Sequence, residues 1–249
     1  MFSDAALAAL TAPVIIVLMA GGFVGGLASG GAGFAFAVVA ASVWLHVIDP
    51  IHTAFLIVSC GTLLQLVLVW KMRRTIEPGR LLPFLIAGFA GVPIGVWLLT
   101  RTDANSLKQC LGIFIFVFGV YALARPAMHK VKGGGRLADA LIGFIGGVLG
   151  GVGGYSGVVP TIWTQLRGWP KDVARGVYQP FILAMHVATL LGVGIVAFDP
   201  AGIAMFAITL PIVLAGGWVG WIIYGRLDER QFRQMLALLL VVSGLTLIV

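Results

Sequence analysis

Residues 146–160 read GGVLGGVGGYSGVVP and place seven glycines in fifteen positions, within an apolar stretch long enough for a membrane helix. A glycine in a helix interior costs about 1 kcal/mol relative to alanine, so this density predicts a break in the helix. A weaker copy, LASGGAGFAFAVVA, occupies residues 27–40. Each half of the chain therefore carries one glycine-rich break.

The composition indicates an integral membrane protein. The chain has 249 residues, of which 60% are hydrophobic and 10% charged, whereas soluble domains carry about 25% charged residues. The apolar runs reach the roughly 20 residues that a membrane helix needs, and they lack the alternation of barrel strands. We therefore predict an all-α, multi-pass membrane protein. The net charge of +7 lies in short loops, where it reflects membrane topology, so we expect no nucleic-acid partner.

Residue types that carry catalysis or bind metals are sparse. Cys60 and Cys110 are isolated thiols, and no HExxH motif occurs. Ser156 has no His–Asp partner nearby in the sequence, whereas an enzyme would be expected to pair a nucleophile with a base. The sequence predicts no catalytic residues, no metal site, no cofactor and no enzymatic activity.

An internal duplication organises the chain. FVGG at 23–26 and FIGG at 144–147 stand 121 residues apart, and AGVPIGVWLLTRTDANSLKQ at 90–109 matches AGGWVGWIIYGRLDERQFRQ at 215–234. The apolar segments number eight, at roughly 5–46, 51–70, 81–100, 107–124, 138–166, 173–197, 201–224 and 232–249. We predict two repeats of four segments, 1–125 and 137–249, joined by a basic cytoplasmic linker at 126–136.

The positive charges favour an inverted arrangement of the two repeats. If all eight segments crossed the membrane, the 16 basic residues would divide equally between the two sides, contrary to the positive-inside rule. If the first segment of each repeat is re-entrant at its glycines, only Arg101 and Lys108 remain outside. Each half then crosses three times, and the second copy is inverted. The first segment, about 42 residues long, leaves a complete span as the alternative.

The glycine breaks are candidate anion-binding sites. A broken helix places free backbone N–H groups and the positive end of a helix dipole within the membrane. The alternative is that these glycines serve close helix packing, which we favour for the outer glycines of each cluster. The candidate cradle consists of the central glycines: Gly30, Gly31, Gly33, Gly151, Gly153 and Gly154.

Polar side chains inside apolar segments complete the candidate site, because such residues tend to face a bundle interior. Gln65 and His186 occupy equivalent positions, 121 residues apart, and each has the alternative of an ordinary interhelical hydrogen bond. Arg175 either attracts an anion or only obeys the topology rule, and Trp163 has the alternative of an interfacial position. The candidate substrate-binding side chains are Gln65, Tyr155, Trp163, Arg175, Gln179 and His186. No acidic residue is predicted at the membrane midplane, which favours an anionic substrate.

The glycine motif resembles the sulfite exporter TauE/SafE family, which is built from two copies of a glycine-rich unit. GGVGGYSGVVP from Gly150 and WPKDVARG from Trp169 carry the resemblance, whereas in the first half Val39-Ala40 replaces the usual valine-proline. The resemblance implies export of sulfite or organosulfonates such as sulfoacetate across the cytoplasmic (inner) membrane.

The leading hypothesis is a transporter that binds a small sulfur-containing anion near the midplane, between the two breaks, and exposes it alternately to each side. Import or passive conduction of another small anion is the alternative, and a membrane-embedded assembly factor or enzyme is less favoured. The expected partners are the anion and the lipid bilayer. A homodimer is compatible with the sequence, although no heptad pattern or dominant GxxxG face indicates one.

Overall fold

A computed structural model describes residues 11–124, 131, 133–197 and 199–248. The prediction of an all-helical protein is confirmed, because these residues form helices and contain no strand. A short 3-10 helix spans Arg73–Thr75. The α-helices are α1 (Ala12–Ala32), α2 (Phe36–Trp44), α3 (Pro50–Met72), α4 (Pro78–Arg101), α5 (Ala104–Ala124), α6 (Gly135–Gly153), α7 (Val158–Leu166), α8 (Lys171–Ala197), α9 (Pro200–Tyr224) and α10 (Glu229–Ile248).

The helices are suited to a bilayer. Five helices in the described part of the chain are long and apolar enough to cross a membrane, namely α1, α3 with its following turn, α4, α6 and α9. Large apolar side chains such as Ile16, Ile86 and Leu191 are exposed on the outside of the bundle. A contiguous apolar exterior of this kind is typical of a lipid-facing surface. The chain is a multi-pass membrane protein.

The first glycine cluster reverses the chain. Helix α1 ends at Ala32, and Gly33 follows in the left-handed conformation, with φ 86° and ψ −14°. Helix α2 then runs back along α1, because Phe36 and Ala40 lie against Gly25. At the end of α2 the indole Nε1 of Trp44 donates to the Leu18 carbonyl at 3.2 Å. Residues 12–44 therefore form a helical hairpin.

The second glycine cluster forms a matching hairpin. Helix α6 ends at Gly153, Gly154 has φ 79°, and α7 begins at Val158. The indole Nε1 of Trp163 on α7 donates to Asp139 Oδ1 on α6 at 2.7 Å. Asp139 is 121 residues after Leu18, which is the spacing between the FVGG and FIGG stretches, so the indoles that close the two hairpins are bound at corresponding positions.

Glycines bring the two halves into close contact. Helix α1 packs on α9 and helix α6 packs on α4, each through extensive contacts. A Cβ added at Gly26 would overlap the Val213 carbonyl of α9, and one added at Gly147 would overlap the Gly88 carbonyl of α4. The backbones can approach this closely only because the side chains are absent. Helices α3 and α8 cross in the interior, and α5 pairs with α10.

Charged residues separate towards two ends of the bundle. At one end, which we call the basic end, the guanidinium of Arg80 lies 4.8 Å from the Trp169 ring, and Lys171 Nζ donates to the Leu227 carbonyl at 3.1 Å. At the other end, the acidic end, His52 bridges Asp49 and Asp199. Asp49 and Asp199 also cap α3 and α9, with Asp199 accepting from Gly202 N at 2.7 Å. Of the predicted basic linker at 126–136, residues 126–130 and 132 lie outside the described residues.

Candidate anion site

The carbonyl groups that end α1 are held by side chains of α8. Arg175 donates from Nη1 to the Gly31 carbonyl at 3.1 Å and from Nη2 to the Gly30 carbonyl at 3.2 Å. The hydroxyl of Tyr178 donates to the Ala32 carbonyl at 2.8 Å. The last carbonyls of a helix have no partner within that helix and form the negative end of its dipole. A guanidinium is therefore well placed at this helix end.

The next carbonyl along the chain is held from α3. Gln65 Nε2 donates to the Gly33 carbonyl at 2.8 Å. Since Gln65, Arg175 and Tyr178 are each at most 1% exposed, the four consecutive carbonyls from Gly30 to Gly33 are all hydrogen-bonded inside the protein. Side chains of α3 and α8 therefore stabilise the first break together.

Unpartnered polar atoms converge on the same turn. Arg175 Nε and both amide atoms of Gln179 lack a hydrogen-bond partner, and both side chains are 0% exposed. A Cβ placed on Gly33 would lie 2.9 Å from Gln179 Nε2 and 3.1 Å from Arg175 Nε. Helix α2 starts three residues later, and its first N–H groups have no partner within the helix. The guanidinium and the amide thus lie next to Gly33, and the N-terminus of α2 follows three residues later in the chain.

Arg175 carries a buried charge without a carboxylate partner. The three ion pairs within the described part of the chain involve His52 and Arg80 as cations and do not include Arg175. Its guanidinium carbon lies 4.0 Å from the centroid of the Tyr224 ring, and the Tyr224 hydroxyl donates to Asp172 Oδ1 at 2.5 Å. Aromatic rings and carbonyls partly compensate a cation, but a buried charge normally requires an ion of opposite sign.

At the second break the turning glycine accepts a hydrogen bond like that at the first break, but the side chains around it are different. His186 Nε2 donates to the Gly154 carbonyl at 3.1 Å, as Gln65 does to Gly33. Ile57 and Val58 of α3 face Gly154, with an added Cβ 2.5 Å from Ile57 Cγ2 and 3.3 Å from Val58 Cγ1. These two residues are 121 positions before Tyr178 and Gln179. Apolar side chains therefore stand where the first break has polar ones.

Most of the other predicted cradle glycines are packing positions. A Cβ on Gly30 would overlap the Gly217 carbonyl, and one on Gly151 would overlap the Val92 carbonyl. A Cβ on Gly31 would lie 3.2 Å from Met235 Cε. These three glycines serve contact between helices, which is the alternative role considered for their clusters.

The aromatic residues predicted for the site make other contacts. A Cβ on Gly153 would lie 2.6 Å from the ring of Tyr155, which is buried against this glycine. Trp163 is bound to Asp139 and lies 5.7 Å from the Arg167 guanidinium, towards the basic end. Neither contact involves Arg175 or Gln179.

The two breaks also lie at different depths. Gln179 faces Gly33, and His186 binds the Gly154 carbonyl, seven residues further along α8. At 1.5 Å per residue the two levels are about 10 Å apart along the helix axis. A small oxyanion is too short to touch both breaks at once. Gly33, Gln65, Arg175 and Gln179 are brought together, whereas Gly154 and His186 form a separate group.

Sequence reasoning did not assign Tyr178 and Tyr224 to the site. Tyr178 stands three residues after Arg175 and one before Gln179, so helical periodicity places it on the same face as Arg175. Tyr224 had no such signal, because it comes from a helix almost fifty residues later. Among the described residues no group of three His, Cys, Asp or Glu side chains is placed to hold a metal.

Broken helical hairpins packed around a buried cation, inside a bundle with an apolar exterior, define a polytopic membrane protein with a polar interior site. The chain matches the family model described as "Sulfite exporter TauE/SafE" over residues 14–247, and it belongs to this family of membrane transporters. The resemblance noted in the sequence is confirmed. No curated protein and no solved structure gives a significant match.

Proposed function

We propose that the protein exports a small sulfur oxyanion, either sulfite or an organosulfonate such as sulfoacetate, across the cytoplasmic (inner) membrane. The observation that carries this proposal is the unpaired cluster at the first break. Arg175 Nε and the whole amide of Gln179 are buried and lack partners, beside the N-terminus of α2. An oxyanion would supply the missing charge and the missing acceptors.

The electrostatic balance supports an anion over a cation. Arg175 contributes one full positive charge, and the end of α1 contributes roughly half a negative charge. The start of α2 contributes about half a positive charge. The nearby Asp172 carboxylate accepts from the Tyr224 hydroxyl and forms no ion pair with Arg175, so the turn itself keeps a net positive charge. No carboxylate of the described residues pairs with Arg175. A metal cation or a protonated amine would be repelled from this position.

The repeated geometry supports an inverted duplication with two re-entrant hairpins. Equivalent residues close both hairpins, Leu18 with Asp139, and equivalent residues hold both turning glycines, Gln65 with His186. The α1–α9 contact has its counterpart in the α6–α4 contact. With repeats at 1–125 and 137–249, the basic end faces the cytoplasm by the positive-inside rule.

Transport then proceeds by alternating access around the first break. Arg175 and Gln179 are sealed from solvent, which corresponds to an occluded arrangement. Helix α8, which carries both residues, crosses α3 in the interior, and α3 belongs to the other repeat. A rocking motion of one repeat against the other would open this crossing first to one side and then to the other. In this scheme Gly154 and His186 support the second hairpin.

Flux into proteoliposomes tests the proposal. Saturable movement of radiolabelled sulfite or sulfoacetate is expected with the wild-type protein, and Gln179→Leu should reduce it at least tenfold because a buried donor and acceptor are removed. Gln109→Leu is the matched control, since Gln109 is exposed at the start of α5. The absence of saturable flux for every sulfur oxyanion tried, with a monodisperse wild-type protein, would refute the proposal.

A further inference from the structure

The unpartnered atoms at the first break include acceptors as well as donors. Arg175 Nε and Gln179 Nε2 are donors without a partner, and Gln179 Oε1 and Gln65 Oε1 are acceptors without a partner. All three side chains are at most 1% exposed. A ligand made only of acceptor oxygens would satisfy the donors and leave both carbonyl oxygens unpaired, which is costly in a buried site.

The orientation of the two amides does not alter this conclusion. Gln65 must direct Nε2 at the Gly33 carbonyl, 2.8 Å away, so its Oε1 can act only as an acceptor. Gln179 presents one donor atom, the nitrogen of its NH2 group, and one acceptor atom whichever way its amide is turned. The buried cluster therefore contains two donors and two acceptors in either orientation.

The charge of the cluster is matched to a single negative charge. Arg175 is its one cation, and two of its three nitrogens are already bound to the carbonyls of Gly30 and Gly31. The nearby Asp172 carboxylate is bound by the Tyr224 hydroxyl and does not pair with Arg175. A divalent anion would retain one uncompensated charge in a buried site and would also face the two amide oxygens. Both effects act against a dianion.

We infer that the site selects a singly charged oxyanion that itself carries a hydrogen-bond donor, an inference that rests on the proposed function and specifies its substrate. Bisulfite is the simplest sulfur oxyanion of this kind. The sulfite and sulfate dianions have excess charge and no donor, and so does sulfoacetate with its carboxylate ionised, so of the substrates proposed above the inference selects sulfite in its singly protonated form. Methanesulfonate has the correct charge and lacks the donor, so it separates the two requirements.

Equilibrium binding to the purified protein in nanodiscs tests the inference. Tryptophan fluorescence is a suitable signal, because the Trp221 ring lies 5.4 Å from the Arg175 guanidinium carbon. Sulfite is titrated one pH unit below and one above the pKa of bisulfite, with sulfate and methanesulfonate at the same two pH values. The Kd for total sulfite should rise about tenfold between these values, in proportion to the loss of bisulfite. Methanesulfonate should bind about ten- to hundredfold more weakly than bisulfite at both.

The variant Gln179→Leu should abolish the preference for bisulfite over methanesulfonate, whereas Gln109→Leu should preserve it. The wild-type pH series is decisive even where the variant fails to fold. Sulfate binding as tightly as bisulfite, or a Kd for total sulfite that stays constant or falls with rising pH, would overturn the inference and leave the transporter proposal intact. If none of the three anions binds and no flux is found, the proposed function itself fails.

Discussion

Replacing Gly33 by alanine tests whether the first break is the binding site. Gly33 has φ 86°, and an L-residue in the left-handed region costs about 1–2 kcal/mol. The new methyl group would lie 2.9 Å from Gln179 Nε2, 2.9 Å from Tyr178 Cε2 and 3.1 Å from Arg175 Nε. The first two contacts are closer than real Cβ atoms approach their neighbours, so the Gln179 amide and the Tyr178 ring must move away from the turn, and the guanidinium must shift by a few tenths of an ångström.

The effect on binding follows from the contacts that are displaced. A hydrogen bond to a charged group contributes about 1.5–3 kcal/mol. With about 1.4 kcal/mol per tenfold change in Kd, loss of one such bond to the anion weakens binding roughly ten- to hundredfold. The backbone strain lowers stability by a separate 1–2 kcal/mol or so. Gly33→Ala should therefore reduce anion affinity and thermal stability together.

Two further glycines provide matched controls. Gly135 also has positive φ, at 50°, with no atom within 4 Å of an added Cβ, so Gly135→Ala carries strain without touching the cluster. Gly79 has neither positive φ nor a close neighbour, and alanine there should be neutral or stabilise by a few tenths of a kcal/mol. Anion titration by tryptophan fluorescence and thermal unfolding are measured for all three variants. If Gly33→Ala binds sulfite like the wild type while losing only as much stability as Gly135→Ala, the anion does not bind at the first break.

Three further substitutions test the remaining features. His186→Gln should retain transport, because Gln65 makes the corresponding hydrogen bond to the Gly33 carbonyl. His186→Leu should lower stability by about 1–3 kcal/mol, because it leaves the Gly154 carbonyl unpaired. Equal melting temperatures for the two variants would argue against a role of His186 in holding this carbonyl. Arg175→Lys should weaken anion binding at least tenfold while the protein remains folded. An ammonium lacks the planar fork with which a guanidinium can bind two carbonyls and a ligand at once. Unchanged affinity would exclude Arg175 from the site. The backbone N–H of Gly202 donates to Asp199 and holds the pKa of this carboxyl below its ordinary value. The cap therefore stabilises the protein fully at pH values above the ordinary pKa, and this stabilisation is lost as the pH falls through the lowered pKa. Asp199→Ala should cost about 1 kcal/mol at neutral pH and nothing in acid, and a difference in melting temperature that persists in acid would contradict the assignment.

The helical organisation was largely predictable from the sequence. The eight apolar segments correspond to the observed helices, with the first divided into α1 and α2 and the fifth into α6 and α7. Apolar length, proline at helix starts and the density of glycine are local signals, and they act on the backbone wherever the segment packs. The positions of the turns, Gly33 and Gly154, fall within the two glycine clusters for this reason.

The contacts within the candidate site were less accessible, because they join residues about 145 positions apart. Arg175 lies near the start of α8, where a positive charge also satisfies the topology rule, and nothing local indicates that its guanidinium reaches the end of α1. The division of the glycines into packing and turning positions depends on which helix lies opposite. Gly30 faces α9 and Gly33 faces α8, although only two residues separate them.

Under the proposed function, the differences between the two breaks account for an anion site at only one of them. At equivalent positions of α3 and α8, Ala54 corresponds to Arg175, Ile57 to Tyr178 and Val58 to Gln179. Both halves have the same kind of hydrogen bond at the turn, since Gln65 donates to the Gly33 carbonyl and His186 donates to the Gly154 carbonyl. The charge and the unpaired amide are present in one half only. The two hairpins therefore share a folding requirement, and under the proposed function the substrate requirement would belong to the hairpin whose turn lies nearer the basic end. In the proposed orientation an anion bound there would have its shorter path towards the cytoplasm, which would suit a protein that takes up its substrate from that side.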